Sequence, residues 1–405
     1  MGRSYRKLLE GVRTQSSLLQ LAEQGMSSAE FKELVITLFS PFFLNRAVLE
    51  ESAVRFLVPD AVTLSRLSTD TWSNSMLSRV LAEHRSAAAS NESACFAGYG
   101  TWEPDVSRGL SQYWSGFQLE IDKTDQLPLE EFAHEVARNM ALVIEASLDP
   151  ILKELLLMVR IRMAKANPSR DLDSMDLGLV VRELIDTSGY PELFAPPPWR
   201  LPLNQWRNIC HHYSFEVEGE NIVGHYGKLP NEREITLSRW DFFEAGTKCV
   251  RVFEIIKLAR TIAILDSLEK IQPYLPRTVL RPEQEILALA SGLATQGFQV
   301  KDVLLEDQSV HVVIQDLTNQ PPEQRMVHAS QFVCPVWTHF PRDSISVEFL
   351  DGTGTPRLTT TARGADCEAV AQGRMRLSEL ANRVMLLPRS RRSSGDSTES
   401  SEADR

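Results

Sequence analysis

The sequence is short of several features that would assign a function at once. It has five cysteines in 405 residues, all isolated from one another, so neither a zinc site built on CxxC pairs nor a disulfide framework is predicted. It carries 54 acidic against 43 basic residues, a formal net charge of −11. This balance excludes a protein that coats nucleic acid through bulk basicity, but it is compatible with a locally basic RNA site.

Long apolar runs are also missing. The longest apolar stretches, such as residues 155–159, fall far short of the roughly 20 residues that a membrane-spanning helix needs. Residues 1–11 hold no apolar core of signal-peptide length. We therefore expect no membrane association, and a reducing cytoplasmic location suits the isolated cysteines.

Motifs for the common cofactors are missing too. The chain has no GxxxxGK[ST] phosphate loop and no GxGxxG that follows a strand pattern. His134 and Glu135 begin like a zinc-protease motif, but Arg138 stands where that motif requires its second histidine. We therefore predict neither a nucleotide cofactor nor a metal centre.

The apolar pattern predicts a multidomain, mainly α-helical chain that begins with a helical N-terminal region over residues 1–125. Ser27 and Glu30 have the spacing of a capping box at a helix start. Residues 90–100, rich in Ser, Ala and Gly, predict a loop. The helices expected in this region cover residues 5–24, 28–44 and 74–89.

Residues 126–276 predict a second region, a bundle of long helices with a short β insertion. Pro128 and Pro150 stand where first helical turns begin, and Asp149 is placed to cap the second helix. Ser238 can open a long helix over residues 240–271. The expected strands of the insertion cover residues 215–217, 221–226 and 234–237.

Residues 277–388 predict a small α/β domain in which a helix–strand–strand unit occurs twice. Apolar and polar residues alternate over 344–350, which predicts a half-buried strand, and Asp351-Gly352 predicts the hairpin turn that follows it. Residues 389–405 contain no apolar residue larger than Ala, so they predict a disordered tail.

One segment contains several side chains that could take part in catalysis. Residues 194–214 contain no acidic residue, but they hold Arg200, Arg207, His211 and His212. In an acidic protein this is a local positive island suited to a phosphate. Guanidinium can grip a phosphate bidentately, and imidazole titrates near neutrality, so it can exchange a proton with a ribose hydroxyl.

On a helix, Arg207 and His211 share one face, and Asn208 and His212 share a second face about 100° away. Arginine, asparagine and histidine would then project from a single short helix. Together they can support cleavage of RNA by attack of the 2′-hydroxyl on the adjacent phosphate, without a metal ion.

This segment resembles the signature of the HEPN family (Higher Eukaryotes and Prokaryotes Nucleotide-binding). That signature is an Arg, usually followed by a polar residue, and a His after four to six intervening residues. Arg207, Asn208 and His212 match it, and the resemblance covers about residues 127–276. It implies a helical bundle of about four or five helices, a homodimer that brings two motifs together, and metal-independent endoribonuclease activity.

The resemblance also implies roles for single residues. Arg207 binds and stabilises the scissile phosphate, His212 handles the proton, Asn208 holds the motif together by hydrogen bonding, and His211 is an auxiliary group. A prokaryotic toxin or antiviral effector is the setting that the family suggests, with RNA as substrate.

Other interpretations of the same residues stay open. Arg207 could instead pair with a carboxylate of the long helix over 240–271, and the two histidines could be satisfied helix-end residues. Arg79 and His84 have the same spacing but predict an ordinary surface helix. The alternative function is a non-catalytic dimeric sensor or scaffold, whose N- or C-terminal region receives a regulatory partner.

Overall fold

The computed structural model describes residues 2–15, 21, 26–52, 56–117, 127–227, 230–276, 282–318 and 320–388. The tail expected over 389–405 lies outside these residues. The chain divides into two compact units. The first comprises Met1–Val35, Val54–Val62 and Arg281–Arg405, and the second comprises Ile36–Ala53 and Thr63–Leu280.

The described chain is mainly α-helical, as expected, with two small sheets. Its α-helices are α1 (Arg6–Gln15), α2 (Ser28–Phe39), α3 (Arg46–Ser52), α4 (Val58–Thr69), α5 (Thr71–Ser90), α6 (Glu92–Phe117), α7 (Leu129–Leu142), α8 (Asp149–Arg162), α9 (Leu177–Thr187), α10 (Leu203–His211), α11 (Arg239–Asp266), α12 (Leu268–Ile271), α13 (Pro282–Ala294), α14 (Pro322–Ser330), α15 (Val333–His339), α16 (Gly364–Ala371) and α17 (Leu377–Ala381). Its strands are β1 (Arg3–Ser4), β2 (Phe215–Glu218), β3 (Asn221–Tyr226), β4 (Arg233–Ser238), β5 (Phe298–Leu305), β6 (Ser309–Asp316), β7 (Ser344–Leu350), β8 (Pro356–Arg363) and β9 (Met385–Pro388). No helix among the described residues has both the length and the apolar character to cross a membrane.

The second unit is a bundle of long helices. Helix α8 packs against both α5 and α6, and α11 packs against α5 and α7. Leu152, Leu155, Leu156 and Val159 of α8 are completely buried, so its apolar face is wide enough to need neighbours on two sides. Buried apolar area of this kind is the main source of a domain's stability.

The loop predicted over residues 90–100 is wrong, because α6 begins at Glu92 and runs through this segment. Its small residues serve helix packing instead of a turn. A Cβ on Gly98 would lie 2.7 Å from Cδ2 of Leu157, so the absent side chain lets α6 approach α8 closely. Burial of Cys95 on the same helix follows from that approach.

The helix start expected at Asp149 also differs from the structure. Helix α7, a π-helical turn over Val143–Leu148 and α8 follow one another in continuous helical backbone, and Asp149 makes no cap. Pro150 has no N–H to donate to the carbonyl of Ala146. That carbonyl lies against α6 instead, where a Cβ on Gly109 would come 2.5 Å from it.

The β insertion agrees with its prediction. Strands β2, β3 and β4 form an antiparallel sheet in that order. Gly224 of β3 lies against Ile209 of α10, since a Cβ there would come 3.2 Å from Ile209 Cγ2. The capping box of Ser238 and Asp241 opens α11, so this local prediction is confirmed.

The units do not follow the domain boundaries expected from the sequence. Helices α5 and α6, assigned to a region over 1–125, cluster with the residues that follow them, because their apolar faces are buried against α8 and α11. The first residues join the C-terminal unit, since β1 pairs with β5 and Tyr5 and Leu9 lie in that unit's core. The helical region was expected to end at residue 276, and the second unit extends to Leu280.

The first unit contains a six-stranded sheet in the order β1-β5-β6-β7-β8-β9. Strands β6 and β7 are parallel and the other neighbours are antiparallel, so the chain crosses over through α14 and α15. The two expected helix–strand–strand units are present, as α13-β5-β6 and α14-α15-β7-β8. The strand predicted over 344–350 is confirmed, with Ile345, Val347 and Phe349 buried.

Candidate active site

Helix α10 carries the predicted site residues, and its amphipathic pattern decides which of them face outward. Its apolar residues recur at helical spacing and are almost completely buried, which leaves the polar residues on the opposite side. Beyond its end Tyr213 has a φ of 50°, a left-handed conformation that cannot continue the helix. The buried residues of this helix are Leu203, Trp206, Ile209 and Cys210.

A glutamate that the sequence did not single out holds the arginine of the site. Arg207 Nε donates to Glu145 Oε1 at 2.6 Å, and Nη2 of the same guanidinium also contacts that oxygen. Glu145 lies in the π-helical turn, so the carboxylate partner of Arg207 comes from there and not from α11. π-Helical turns often occur at functional sites.

The other edge of the guanidinium faces the rest of the motif. Arg207 Nη1 lies 3.2 Å from His212 Nε2 and 3.4 Å from Asn208 Oδ1. Because a guanidinium has no acceptor, a hydrogen bond between these atoms requires Nε2 of His212 to accept, with the ring proton on Nδ1. The structure thus brings together Arg207, Asn208 and His212.

His211 belongs to the same cluster through Glu145. Its Nδ1 lies 2.9 Å from Glu145 Oε2, so the two oxygens of one carboxylate serve Arg207 and His211 separately. The rings of His211 and His212 meet edge to face, with centroids 5.1 Å apart. His211 is not among the residues that line the adjoining cleft.

A cleft of about 830 Å³ opens beside the motif. Helices α9 and α10 and the end of β3 line it, and most of the lining side chains are polar. Arg207, Asn208 and His212 form part of its wall. The other lining residues are Asp176, Leu177, Gly178, Leu179, Arg182, Asn204, Gln205, Ser214, His225, Tyr226, Gly227 and Glu232.

The second Arg–His pair of the sequence does not form a site. His84 is buried, its Nδ1 lies 2.7 Å from the hydroxyl of Tyr99, and burial lowers the pKa of the imidazole to about 3. Arg79 donates instead to the carbonyl of Gly189 and lies near Glu192. The two Arg–His pairs thus have the same spacing in sequence, but only Arg207 and His212 are in contact.

The chemistry available in the cleft is that of a guanidinium beside an imidazole. The guanidinium can stabilise an anion, and the unprotonated imidazole nitrogen next to it can accept a proton. Across the part of the chain that the structure describes, no group of three or more His, Cys, Asp or Glu side chains could hold a metal ion. Comparison of the chain with protein-family models, with curated proteins and with solved structures finds no match.

Proposed function

We propose that this protein is a metal-independent endoribonuclease of the HEPN type. The observation that carries the proposal is the contact of 3.2 Å between Arg207 Nη1 and His212 Nε2 on the wall of a polar cleft. Long helices on both sides of the motif support the HEPN-like bundle that the resemblance implies.

The proposed reaction needs one base, one acid and a group that stabilises negative charge. When RNA binds, Arg207 Nη1 turns from His212 Nε2 to the phosphate. The freed Nε2 takes the proton of a 2′-hydroxyl, whose oxygen attacks the adjacent phosphorus while the bond from phosphorus to the 5′-oxygen breaks. Arg207 stabilises the charge that develops on the phosphoryl oxygens. The imidazolium of His212 then gives its proton to the leaving 5′-oxygen, and the products are a 2′,3′-cyclic phosphate and a 5′-hydroxyl.

Asn208 and His211 support this reaction indirectly. Asn208 accepts a weak hydrogen bond from the Nη1 group of Arg207, which helps to fix the plane of the guanidinium. His211 shares Glu145 with Arg207, so it acts on the arginine through a common carboxylate. We assign neither residue a direct contact with the reacting atoms.

The active form is proposed to be a homodimer in the cytoplasm. One motif supplies a single guanidinium and one imidazole in the cleft. Two proton transfers and the stabilisation of negative charge would be served better by more such groups. A two-fold dimer would place the motif of a second copy beside the first, which doubles the number of guanidinium and imidazole groups at the site. Specific activity should then fall on dilution, and light scattering should show a dimer at the higher concentrations.

The test is cleavage of RNA in the presence of a chelator. We expect the wild-type protein to leave 2′,3′-cyclic phosphate ends, and Arg207→Ala or His212→Ala to lower the rate by at least about 100-fold. Arg79→Ala is the matched control, an exposed arginine five residues before a histidine and outside the cleft. Cleavage that requires a divalent ion, or that survives both site substitutions, would contradict the proposal.

The alternative is a non-catalytic dimeric sensor or scaffold protein. The observation that favours it is the pairing of Arg207 with Glu145, which already occupies one edge of the guanidinium. In that case the wild-type protein and His212→Ala would be equally inactive on RNA, and both would still form the dimer. A regulatory partner would then be sought with the full-length chain as bait, since either terminal region is a candidate contact.

A further inference from the structure

Arg182 differs from Arg207, the other arginine that lines the cleft. It lies on α9, its side chain is exposed, and it lines the cleft. Among the described residues it has no ion-pair or hydrogen-bond partner. Three arginines of the same region, by contrast, are each held by a glutamate: Arg160, Arg162 and Arg207.

The balance of charge in the cleft makes this difference important. Glu145 offsets the charge of Arg207, and the acidic residues Asp176 and Glu232 also line the cleft. Within the part of the chain that the structure describes, Arg182 is the one cation of the cleft wall without a carboxylate partner. An incoming anion is therefore attracted mainly by Arg182.

The beginning of α9 shapes the cleft next to Arg182. Gly178 and Arg182 are four residues apart, so they lie on one face of the helix and both line the cleft. The first turn itself is already capped, because the side chain of Asp176 accepts a hydrogen bond from the N–H of Leu179 at 2.9 Å, so the arginine and not the helix end attracts the anion. A Cβ on Gly178 would lie 3.1 Å from Asp176 Oδ1 and 3.5 Å from Asn204 Nδ2, so the glycine keeps this end of the cleft open.

We propose that Arg182 forms a second phosphate subsite. It holds a phosphate next to the one on which Arg207 and His212 act, so the substrate is a strand of RNA that crosses the cleft. This inference rests on the proposed function, and it narrows the substrate to chains with at least two phosphates. A substrate with one phosphate fills the Arg207 subsite alone.

The experiment compares two substrates on the full-length protein, a dinucleoside monophosphate and a single-stranded pentaribonucleotide. Arg182→Ala should lower kcat/KM for the pentanucleotide by about tenfold to 100-fold, the effect of one charge-assisted contact, and leave the dinucleotide value within about twofold. Arg182→Lys should retain part of the effect because it keeps the charge. Arg170→Ala is the matched control, since Arg170 is 75% exposed, pairs with its neighbour Asp171 and does not line the cleft.

Binding provides a readout that does not depend on cleavage. Fluorescence anisotropy of a labelled pentaribonucleotide with His212→Ala should show weaker affinity when Arg182→Ala is added. The slope of log K against log salt should also become shallower by about 0.7, the value expected when the protein neutralises one phosphate fewer on a single strand.

The outcomes separate the subsite from the proposed activity. The subsite would be overturned if Arg182→Ala changed kcat/KM equally for both substrates, or for neither, and left the salt slope unchanged. That result would leave the proposed nuclease activity intact. Binding that depends on Arg182 in a protein that never cleaves RNA would retain the subsite and overturn the nuclease. Absence of both binding and cleavage would overturn both.

Discussion

Glu145 and Arg207 are 62 residues apart in the chain, and the carboxylate of one holds the guanidinium of the other at 2.6 Å. The π-helical turn of Glu145 and the short helix of Arg207 are packed together in the second unit, which makes the pair possible. The contact orients the arginine towards His212 and ties His211 to the same carboxylate.

Glu145→Ala should therefore lower the rate of RNA cleavage through the position of Arg207. Without its carboxylate the guanidinium regains rotational freedom, and we expect kcat to fall by about tenfold to 100-fold with a smaller change in KM. Glu145→Gln should recover part of the rate, since an amide oxygen can still accept from Nε. Steady-state kinetics with chelator present checks this, and a wild-type rate for Glu145→Ala would show that the ion pair does not position the arginine.

Stability should depend on pH through His84. The folded protein holds this imidazole at a pKa of about 3, whereas in the unfolded chain it titrates near 6.5. Below pH 6.5 the unfolded state binds more protons, so the free energy of unfolding falls as the pH decreases, by about 2 kcal/mol at pH 5. Urea unfolding at pH 7.5 and pH 5 measures the effect.

His84→Asn is the control for that measurement, because its amide oxygen can take the place of Nδ1 opposite Tyr99 but does not titrate. The variant should be less stable at pH 7.5 and lose less stability between the two pH values. A pH dependence equal to that of the wild-type protein would exclude His84 as the cause.

The stability of the helical unit should be sensitive to the loss of one partner from a buried ion cluster. Arg260 Nε lies 2.7 Å from Oε1 of Glu154, and its Nη2 lies 2.6 Å from Oε2 of Glu103. Glu154→Ala would leave the buried guanidinium with one partner fewer and should lower the free energy of unfolding by about 3–5 kcal/mol. Arg79→Ala, which breaks an exposed pair, should change it by less than about 1 kcal/mol in the same denaturant titration.

Two glycines in helices should respond in opposite directions to the same substitution. A Cβ on Gly109 would come 2.5 Å from the carbonyl of Ala146, in the turn that carries Glu145, so Gly109→Ala should destabilise the protein by about 1–3 kcal/mol and also slow RNA cleavage. Gly292 has nothing within 4 Å of its Cβ position, so Gly292→Ala should stabilise the protein by about 0.5–1 kcal/mol. Thermal unfolding of both variants tests the pair, and a change of the same sign would contradict the packing argument.

Much of the local structure follows from the sequence by itself, because its causes lie within a few residues. The alternation over 344–350, the capping box of Ser238 and Asp241, and the three strands of the β insertion are all read correctly from neighbouring residues. Helical spacing, by contrast, placed Arg207 with His211 and Asn208 with His212. The contact that forms joins Arg207 to His212, because His212 lies just beyond the last helical residue.

Other features depend on contacts between distant parts of the chain. Residues 90–100 look like a loop because Gly and Ser weaken a helix locally, but close packing of α6 on α8 outweighs that preference. The partition into two units follows from β1 pairing with β5 and from the burial of α5 and α6 among later helices. Neither the pairing of β1 with β5 nor the burial of α5 and α6 produces a pattern that a short window of sequence could show.

The motif on α10 was determined by the sequence, and its surroundings were decided by the tertiary structure. Glu145 comes to Arg207 because α7, the π-helical turn and α8 run as one continuous helical segment, which the prolines of the sequence did not suggest. Arg182 reaches the same cleft because α9 packs beside α10. Helical spacing is a property of the local backbone, whereas the partners of a charge are chosen by burial and packing across the whole unit.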